Sequence, residues 1–509
     1  MRFSPRAPSP SCPRLLILSS LCLCVSVVNG SSLAPADAAQ RQDPAALQAL
    51  IQQHADLNAA QPDGTTALQW AAHWNDLATV KMLLKAGANP KLANRYGATP
   101  LSEAAALGNA DMIEALLAAG ADAKSLTTAD GETVLMTAAR SGNVAAVKIL
   151  LDHGAEINAR EQYRGQTALM WAAAERHPEV VRLLLARGAD WKVLSLARDN
   201  SMPKLSAASS VTPMARGGLS ALHFAAREGD VETGRVMLDA GVDVNIVDAD
   251  HTTPLVVALL NKHYTFAKFL LDRGADPNIA DTHGRAALYA LLDMRNQDYS
   301  ALPSRPPDDP LPSLELLKAL LDRGANPNAQ LTRNLPGRSG MDSGDITLDA
   351  GATPLMRAAR AGDHEAIKIL LARGADPKLT TKDENTAFLF AAGVGYRDKN
   401  TRGSESDALE GLKVLAALGV DWNQHNARGE TALHGAAGRG ADSIVNYLVA
   451  NGGHLDAKTK LGLTPLDYAM GKNVVSQLPV PHDSTVALIR KLGGVEGTRA
   501  EAPRPRTTN

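Results

Sequence analysis

Between Gly351 and Lys378 the chain reads GATPLMRAARAGDHEAIKILLARGADPK, and its apolar positions follow two short helical stripes separated by glycine. Leu355, Ala358 and Ala359 fall at i, i+3 and i+4, and Ile367, Leu370 and Leu371 form a second face. Thr353 stands where its hydroxyl can cap the first helix, and Pro354 follows at the helical position where a missing N–H costs nothing. Gly362 and Gly374 stop the two helices, because glycine takes left-handed backbone cheaply. Neither helix can bury its stripe alone, so the pattern predicts a stack of copies.

Copies fill most of the chain. Units open at Gly64, Gly97, Gly131, Gly165, Gly218, His251, Gly284, Gly351, Glu384, Gly429 and Gly462, and residues 43–58 match only the second helix, as an N-terminal half unit. Thr-Pro-Leu, then Ala-Ala, then Leu-Leu-x-x-Gly-Ala-Asp at a period of about 33 residues resembles the ankyrin repeat. The resemblance implies an all-α ankyrin-repeat solenoid of stacked helix-turn-helix units with short β-hairpin or turn connections.

The rhythm fails in five places, which sets the expected layout. Residues 1–38 read as a signal peptide, 39–62 as a capping half-repeat and 63–191 as regular repeats, followed by an insertion at 192–217. Repeats resume over 218–330 with an insertion at 297–312. A further insertion covers 331–350, and repeats over 351–494 carry insertions at 396–407 and 473–483. A polar, proline-containing tail, 495–509, reads as disordered. Insertions 192–217 and 331–350 fall between units, at the hairpin edge; the other three fall between the two helices of alternate units. Loops on a rigid scaffold carry function, although turns also tolerate added length because loop entropy grows slowly.

Composition changes the picture at the N-terminus. Arg2, Arg6 and Arg14 precede an apolar run from Leu15 to Val28 that is short for a membrane span, the layout of a secretory leader. Ala36-Asp37-Ala38 offers one cleavage motif and Val28-Asn29-Gly30 another. A cut after Ala38 removes three arginines and one aspartate, taking the formal charge from -2 to -4. All three cysteines, Cys12, Cys22 and Cys24, lie in the leader, so the processed chain has no thiol for a disulfide, metal site or nucleophile. A leader on this kind of array points to a periplasmic or secreted bacterial protein. With no basic block, nucleic acid is not the expected partner, and no stable membrane span is expected after cleavage.

Candidate chemistry is sparse. There is no His-Glu-x-x-His, phosphate-cradling Gly-Lys-Ser/Thr loop or Gly-x-Ser-x-Gly elbow, and no cofactor, metal or catalytic residue is implied. Asp342, Asp345 and Asp349 do not have the spacing of a calcium loop. In the resembling family, histidines at the places of His223 and His434 brace neighbouring hairpins. Trp70, Trp171, Phe224, Phe390 and Tyr468, before the Ala-Ala pair, read as rings that fill gaps between repeats. Positions further along the first helix and beside the hairpin face the concave groove in the resembling family. Here they are His73, Trp74, Arg95, Tyr96, Arg140, Tyr163, Arg164, Arg227 and Glu228, rich in the side chains that anchor protein interfaces. The expected function is therefore a non-enzymatic scaffold that binds a protein or peptide on its concave face and loops. The alternatives are a ligand-binding or catalytic array with a pocket closed by the insertions, or a secreted host-directed effector.

Overall fold

The computed structural model describes residues 34–128, 130–197, 217–296, 309–335, 348–396, 403–472 and 481–498. Most of the leader, the centres of the five insertions, with Asp342 and Asp345, and the end of the tail lie outside them. The chain divides into two compact units, 1–193 and 194–509.

In the first unit helices come in pairs: α1 (Pro35–Gln40) with α2 (Pro44–Gln52), α3 (Ala67–His73) with α4 (Leu77–Lys85), and α5 (Pro100–Leu107) with α6 (Ala110–Ala118). Two more pairs follow, α7 (Val134–Ser141) with α8 (Val144–Asp152) and α9 (Ala168–Ala174) with α10 (Pro178–Ala186). First helices pack on first helices in the order α1, α3, α5, α7, α9. Alanine pairs such as Ala71–Ala72 and Ala104–Ala105 are fully buried there, which brings the helices close together. The first helices α3, α5, α7 and α9 start at a threonine hydroxyl cap. At Thr66 the Gln69 N–H donates to Oγ1 at 3.3 Å, while Gln69 Oε1 accepts from the Thr66 N–H at 2.7 Å.

The second unit repeats the scheme. Its pairs are α11 (Ala221–Glu228) with α12 (Val231–Asp239), α13 (Pro254–Leu260) with α14 (Tyr264–Asp272), and α15 (Ala287–Arg295) with α16 (Ser313–Asp322). Next come α17 (Pro354–Arg360) with α18 (His364–Ala372) and α19 (Ala387–Ala392) with α20 (Glu405–Ala416). The last are α21 (Ala432–Arg439) with α22 (Asp442–Ala450) and α23 (Pro465–Ala469) with α24 (Asp483–Lys491). Strand pairing among the described residues is confined to isolated bridges, Leu126 with Thr133, Ala197 with Gly217 and His425 with Thr431.

The expected caps and stops are in place. Thr353 Oγ1 accepts from the Met356 N–H at 3.2 Å, and Gly362 and Gly374 have φ of 69° and 87°. Asparagines tie successive loops together: Asn278 Oδ1 accepts from the Asn326 N–H and Asn328 Oδ1 from the Asp376 N–H, both at 2.7 Å. These bonds span 48 residues, so the stacking is kept across both the 297–312 and the 331–350 insertions. Ala197 bridges Gly217, and Leu331 N–H donates to Ala352 O at 2.9 Å, so both between-unit insertions leave from hairpins.

Three boundaries differ from the sequence reading. The N-terminal half unit is a complete pair: Pro35–Gln40 forms α1, whose Ala36, Ala38 and Ala39 are buried and which packs on α3. A boundary after Ala38 would divide this helix. The six residues PADAAQ carry no stripe long enough to stand out, yet small residues such as Ala36, Ala38 and Ala39 are what close packing on α3 requires. At the other insertions α20 begins at Glu405 and α24 at Asp483, so the second helices take up the last residues assigned to 396–407 and 473–483.

Candidate functional site

The first-helix face of the first unit is polar and aromatic where it meets solvent. Trp70, His73 and Trp74 occupy the last turn of α3 and its C-cap. The two indoles lie 6.1 Å apart between centroids at an interplanar angle of 20°, and the His73 ring meets both edge-on, at 5.7 and 5.1 Å. Trp74 is 43% exposed. His73 Nδ1 donates to Glu103 Oε2 of α5 at 3.1 Å. Trp70 Nε1 donates to Gln61 Oε1 at 2.9 Å, and Gln61 Nε2 in turn donates to Asp37 Oδ1 and Gln40 Oε1 of α1, each at 2.8 Å.

Along the same face Leu107 is 48% exposed, and the Arg140 guanidinium stacks over Trp171 at 5.2 Å while facing Glu132 at 3.7 Å. The hairpins add Tyr96 and Tyr163, 65% and 52% exposed. Arg95 lies over the Tyr96 ring at 5.1 Å and donates to its hydroxyl at 3.0 Å; Arg164 lies over Tyr163 at 5.5 Å. Glu161 fixes that second tip by accepting from the Tyr163 and Arg164 N–H groups at 2.6 and 2.8 Å.

Seven of the nine residues singled out from the sequence therefore lie on this unit. Arg227 and Glu228 belong to the second unit, where they pair with each other at 2.9 Å and Arg227 covers Phe224 at 4.9 Å. The aromatic row divides: Phe224, Phe390 and Tyr468 are buried as gap-filling rings, while Trp70 and Trp171 are half-exposed. Trp70, Gln61 and Glu103 were not among the sequence candidates. The signal was the position of Trp70 one turn before Trp74, on the same helical side.

In the second unit the same row of first-helix positions is occupied differently. Arg357 of α17 is 5% exposed and donates through Nε to Asp293 Oδ1 of α15 at 3.0 Å; Arg360 is 1% exposed and donates to Val394 O at 2.9 Å and to Gly395 O. Arg295 pairs with Asp363 at 2.7 Å and donates to Ser313 Oγ at 2.8 Å, joining the two ends of the 297–312 insertion. Arg439 stacks on Tyr396 at 4.2 Å and donates to Gly403 O at 3.3 Å, which holds both ends of the 396–407 insertion. Among the described residues the groups at these bases are arginines paired to aspartates or carbonyls.

The expected bracing histidines have the geometry for that role. His223 Nδ1 accepts from the Ser220 N–H, and Nε2 donates to Thr252 O at 2.9 Å; His434 Nε2 donates to Leu463 O at 3.1 Å. Burial pushes both imidazoles down to about 4. Glu430, buried near His434, accepts from Tyr468 Oη at 2.6 Å and Asn426 Nδ2 at 2.6 Å, and pairs with Arg428 at 2.9 Å. Among the described residues no three His, Cys, Asp or Glu side chains cluster closely enough to hold a metal ion. Two shallow clefts, about 290 Å³ beside Lys124, Leu126 and Arg160 and about 240 Å³ beside Phe388, Leu415 and Leu418, are small for a drug-sized ligand. No described helix is long and apolar enough to cross a membrane.

A family model described as ankyrin repeats (3 copies) matches residues 36–126, 104–194 and 200–281; a second, ankyrin repeats (many copies), matches 415–469; a single ankyrin repeat matches 350–382. The mouse B-cell lymphoma 3 protein homolog is 29% identical over 237 residues, 46% of this chain and 44% of that protein. Human SH3 and multiple ankyrin repeat domains protein 2 is 32% identical over 224 residues, 40% of this chain and 10% of that one. The chain thus spans less than half the length of these curated relatives. The crystal structure of the human ASB11 ankyrin repeat domain is 25% identical and covers 48% of this chain and 98% of its own, with a TM-score of 0.39.

Proposed function

This chain belongs to the ankyrin-repeat family, and we propose that it acts as a non-enzymatic scaffold whose first unit binds a protein or peptide along its first-helix face and hairpin tips. One observation carries the reading: the position before the Ala-Ala pair holds the part-exposed Trp70 and Trp171 in the first unit, whereas in the second Phe224, Arg357, Phe390 and Tyr468 at that position are buried. Large rings held in place by neighbouring repeats present interface area with little ordering cost at binding. Crosslinking mass spectrometry in the native cell tests it, together with capture by a variant carrying alanine at Trp74, Tyr96 and Arg164. Crosslinks between residues 61 and 171 and lost capture are expected; undiminished capture by the variant overturns the assigned face.

The proposal includes export to the periplasm or beyond, supported by the arginines and apolar run of the leader. Cleavage after Gly30 is the consistent choice, because a cut after Ala38 would remove the first four residues of α1, buried Ala36 and Ala38 among them. N-terminal sequencing of protein from its own cells should find Ser31. An intact Met1 overturns export, and a start at Ala39 overturns the role given to α1.

A further inference from the structure

Most exposed aromatics of the first unit already carry a cation of their own. Arg95 covers Tyr96, Arg140 covers Trp171, Arg164 covers Tyr163, and Lys192 covers Trp191 at 5.5 Å. The stacked pair Trp70 and Trp74 differs: among the described residues no guanidinium or ammonium lies over either ring. A carboxylate stands beside it instead, Glu103, held by His73 at 3.1 Å. The surroundings carry the same sign, since residues 34–118 contain eight Asp and Glu against five Lys and Arg.

An indole face carries negative quadrupole density and attracts a cation placed over it, tryptophan most strongly of the aromatic side chains. A carboxylate at the rim adds a charge-assisted acceptor for the same cation. The two are built to persist. The Trp70 ring is fixed by its bond to Gln61, which is anchored on α1, and the Glu103 carboxylate is oriented by His73. The ring face suits a cation as the faces of Tyr96, Trp171, Tyr163 and Trp191 do, and here the cation has to come from another chain.

We propose that Trp70, Trp74 and Glu103 form the docking point for a lysine or arginine side chain of the partner, so that the segment bound along the first unit is basic. The inference rests on the proposed recognition face and names the chemistry of its partner. The cation lies over the outer indole face of Trp74 with its N–H groups toward Glu103; Trp70 backs Trp74, and Gln61 acts as a positioning residue.

The test uses the full chain and a labelled short peptide of alternating lysine and alanine, with glutamine–alanine and glutamate–alanine counterparts, read by anisotropy and tryptophan fluorescence. The lysine peptide is expected to bind more tightly than both counterparts, and Trp74→Ala or Glu103→Gln to weaken it by about tenfold. Glu179→Gln, at an exposed carboxylate of α10 that pairs with Arg182 at 3.3 Å away from the recognition face, should leave it unchanged. Both test positions are solvent-accessible, and unchanged thermal melts confirm that the variants fold. Equal binding of the lysine and glutamine peptides overturns the proposal, as does lysine-peptide binding that ignores Trp74→Ala and Glu103→Gln. Failure of the recognition face itself reads differently: native crosslinks then fall outside residues 61–171, whatever the peptide titrations give.

Discussion

His223 and Asp248 hold one residue from two sides: His223 Nε2 donates to Thr252 O at 2.9 Å, and Asp248 Oδ1 accepts from the Thr252 N–H at 2.7 Å. Both groups are buried, and burial moves them past each other on the pH scale. The imidazole falls from 6.5 to about 4 and the carboxyl rises from 3.8 to about 6.

The two shifts have opposite signs in stability. For His223 the unfolded chain takes the proton first, so its contribution is complete above about pH 6.5 and is lost as pH falls toward about 4. For Asp248 the native state keeps the proton longer, so its contribution is complete below about pH 3.8 and is lost as pH rises through about 6. His434 adds to the first effect. Asp248→Asn keeps an oxygen for the Thr252 and Asp250 N–H groups and removes the opposing term. At pH 7 it should stabilise the second unit by roughly 1–3 kcal/mol. It should also steepen the loss of stability between pH 6.5 and 4. Urea midpoints across that range measure both, and parallel curves for the two proteins would remove the burial account.

Much of this was legible in the chain because ankyrin-type units are written locally. Thr353, Pro354 and Gly362 specify a helix start and stop within one repeat, and they do so whatever packs outside. Partners in neighbouring repeats leave no local mark. Arg357 and Asp293 are 64 residues apart, with two insertions between them, so nothing in α17 announces that its arginines are buried. The same distance effect hid Glu103 and Gln61, whose meaning comes from His73, Trp70 and α1. Residues Trp74, Tyr96 and Tyr163 were readable as exposed because they stand at helix ends and hairpin tips, where the repeat has no core position to fill.

Arg357 should be worth far more to stability than the exposed ion pairs. Its Nε bond to Asp293 is nearly inaccessible to water, and removing one partner of such a pair leaves the other poorly solvated. Arg357→Ala is expected to destabilise the second unit by about 2–4 kcal/mol, and Lys148→Ala, at an exposed pair of 2.6 Å with Asp152, by less than about 0.5 kcal/mol. Denaturant unfolding followed by circular dichroism separates them. Similar losses for the two variants would contradict the burial argument.

Gly362 and Gly374 both have positive φ, yet alanine should not cost the same at each. At Gly374 a Cβ meets nothing within 4 Å, so the substitution brings backbone strain of about 1 kcal/mol. At Gly362 a Cβ would lie 2.7 Å from the Ala408 backbone nitrogen, where α20 crosses close to the α17–α18 turn. Gly362→Ala should therefore destabilise clearly more than Gly374→Ala in the same unfolding experiment. Equal effects would mean that α20 moves aside freely.

Helix α1 should matter to the aromatic cluster as well as to stability. Gln61 links Asp37 and Gln40 to Trp70 Nε1, so loss of α1 removes both anchors of the residue that orients the indole. A chain beginning at Ala39 should unfold its first unit at lower denaturant than one beginning at Ser31, since buried Ala36 and Ala38 are gone. Gln61→Ala keeps the helix and cuts only the link. It should lower the unfolding free energy by no more than about 1–2 kcal/mol, because its three hydrogen bonds are partly exposed and each contributes about 1 kcal/mol or less. It should still raise acrylamide quenching of tryptophan fluorescence as Trp70 loosens against Trp74. If Gln61→Ala leaves quenching unchanged while the shortened chain raises it, α1 acts on the cluster through packing on α3 and not through the Gln61 bridge.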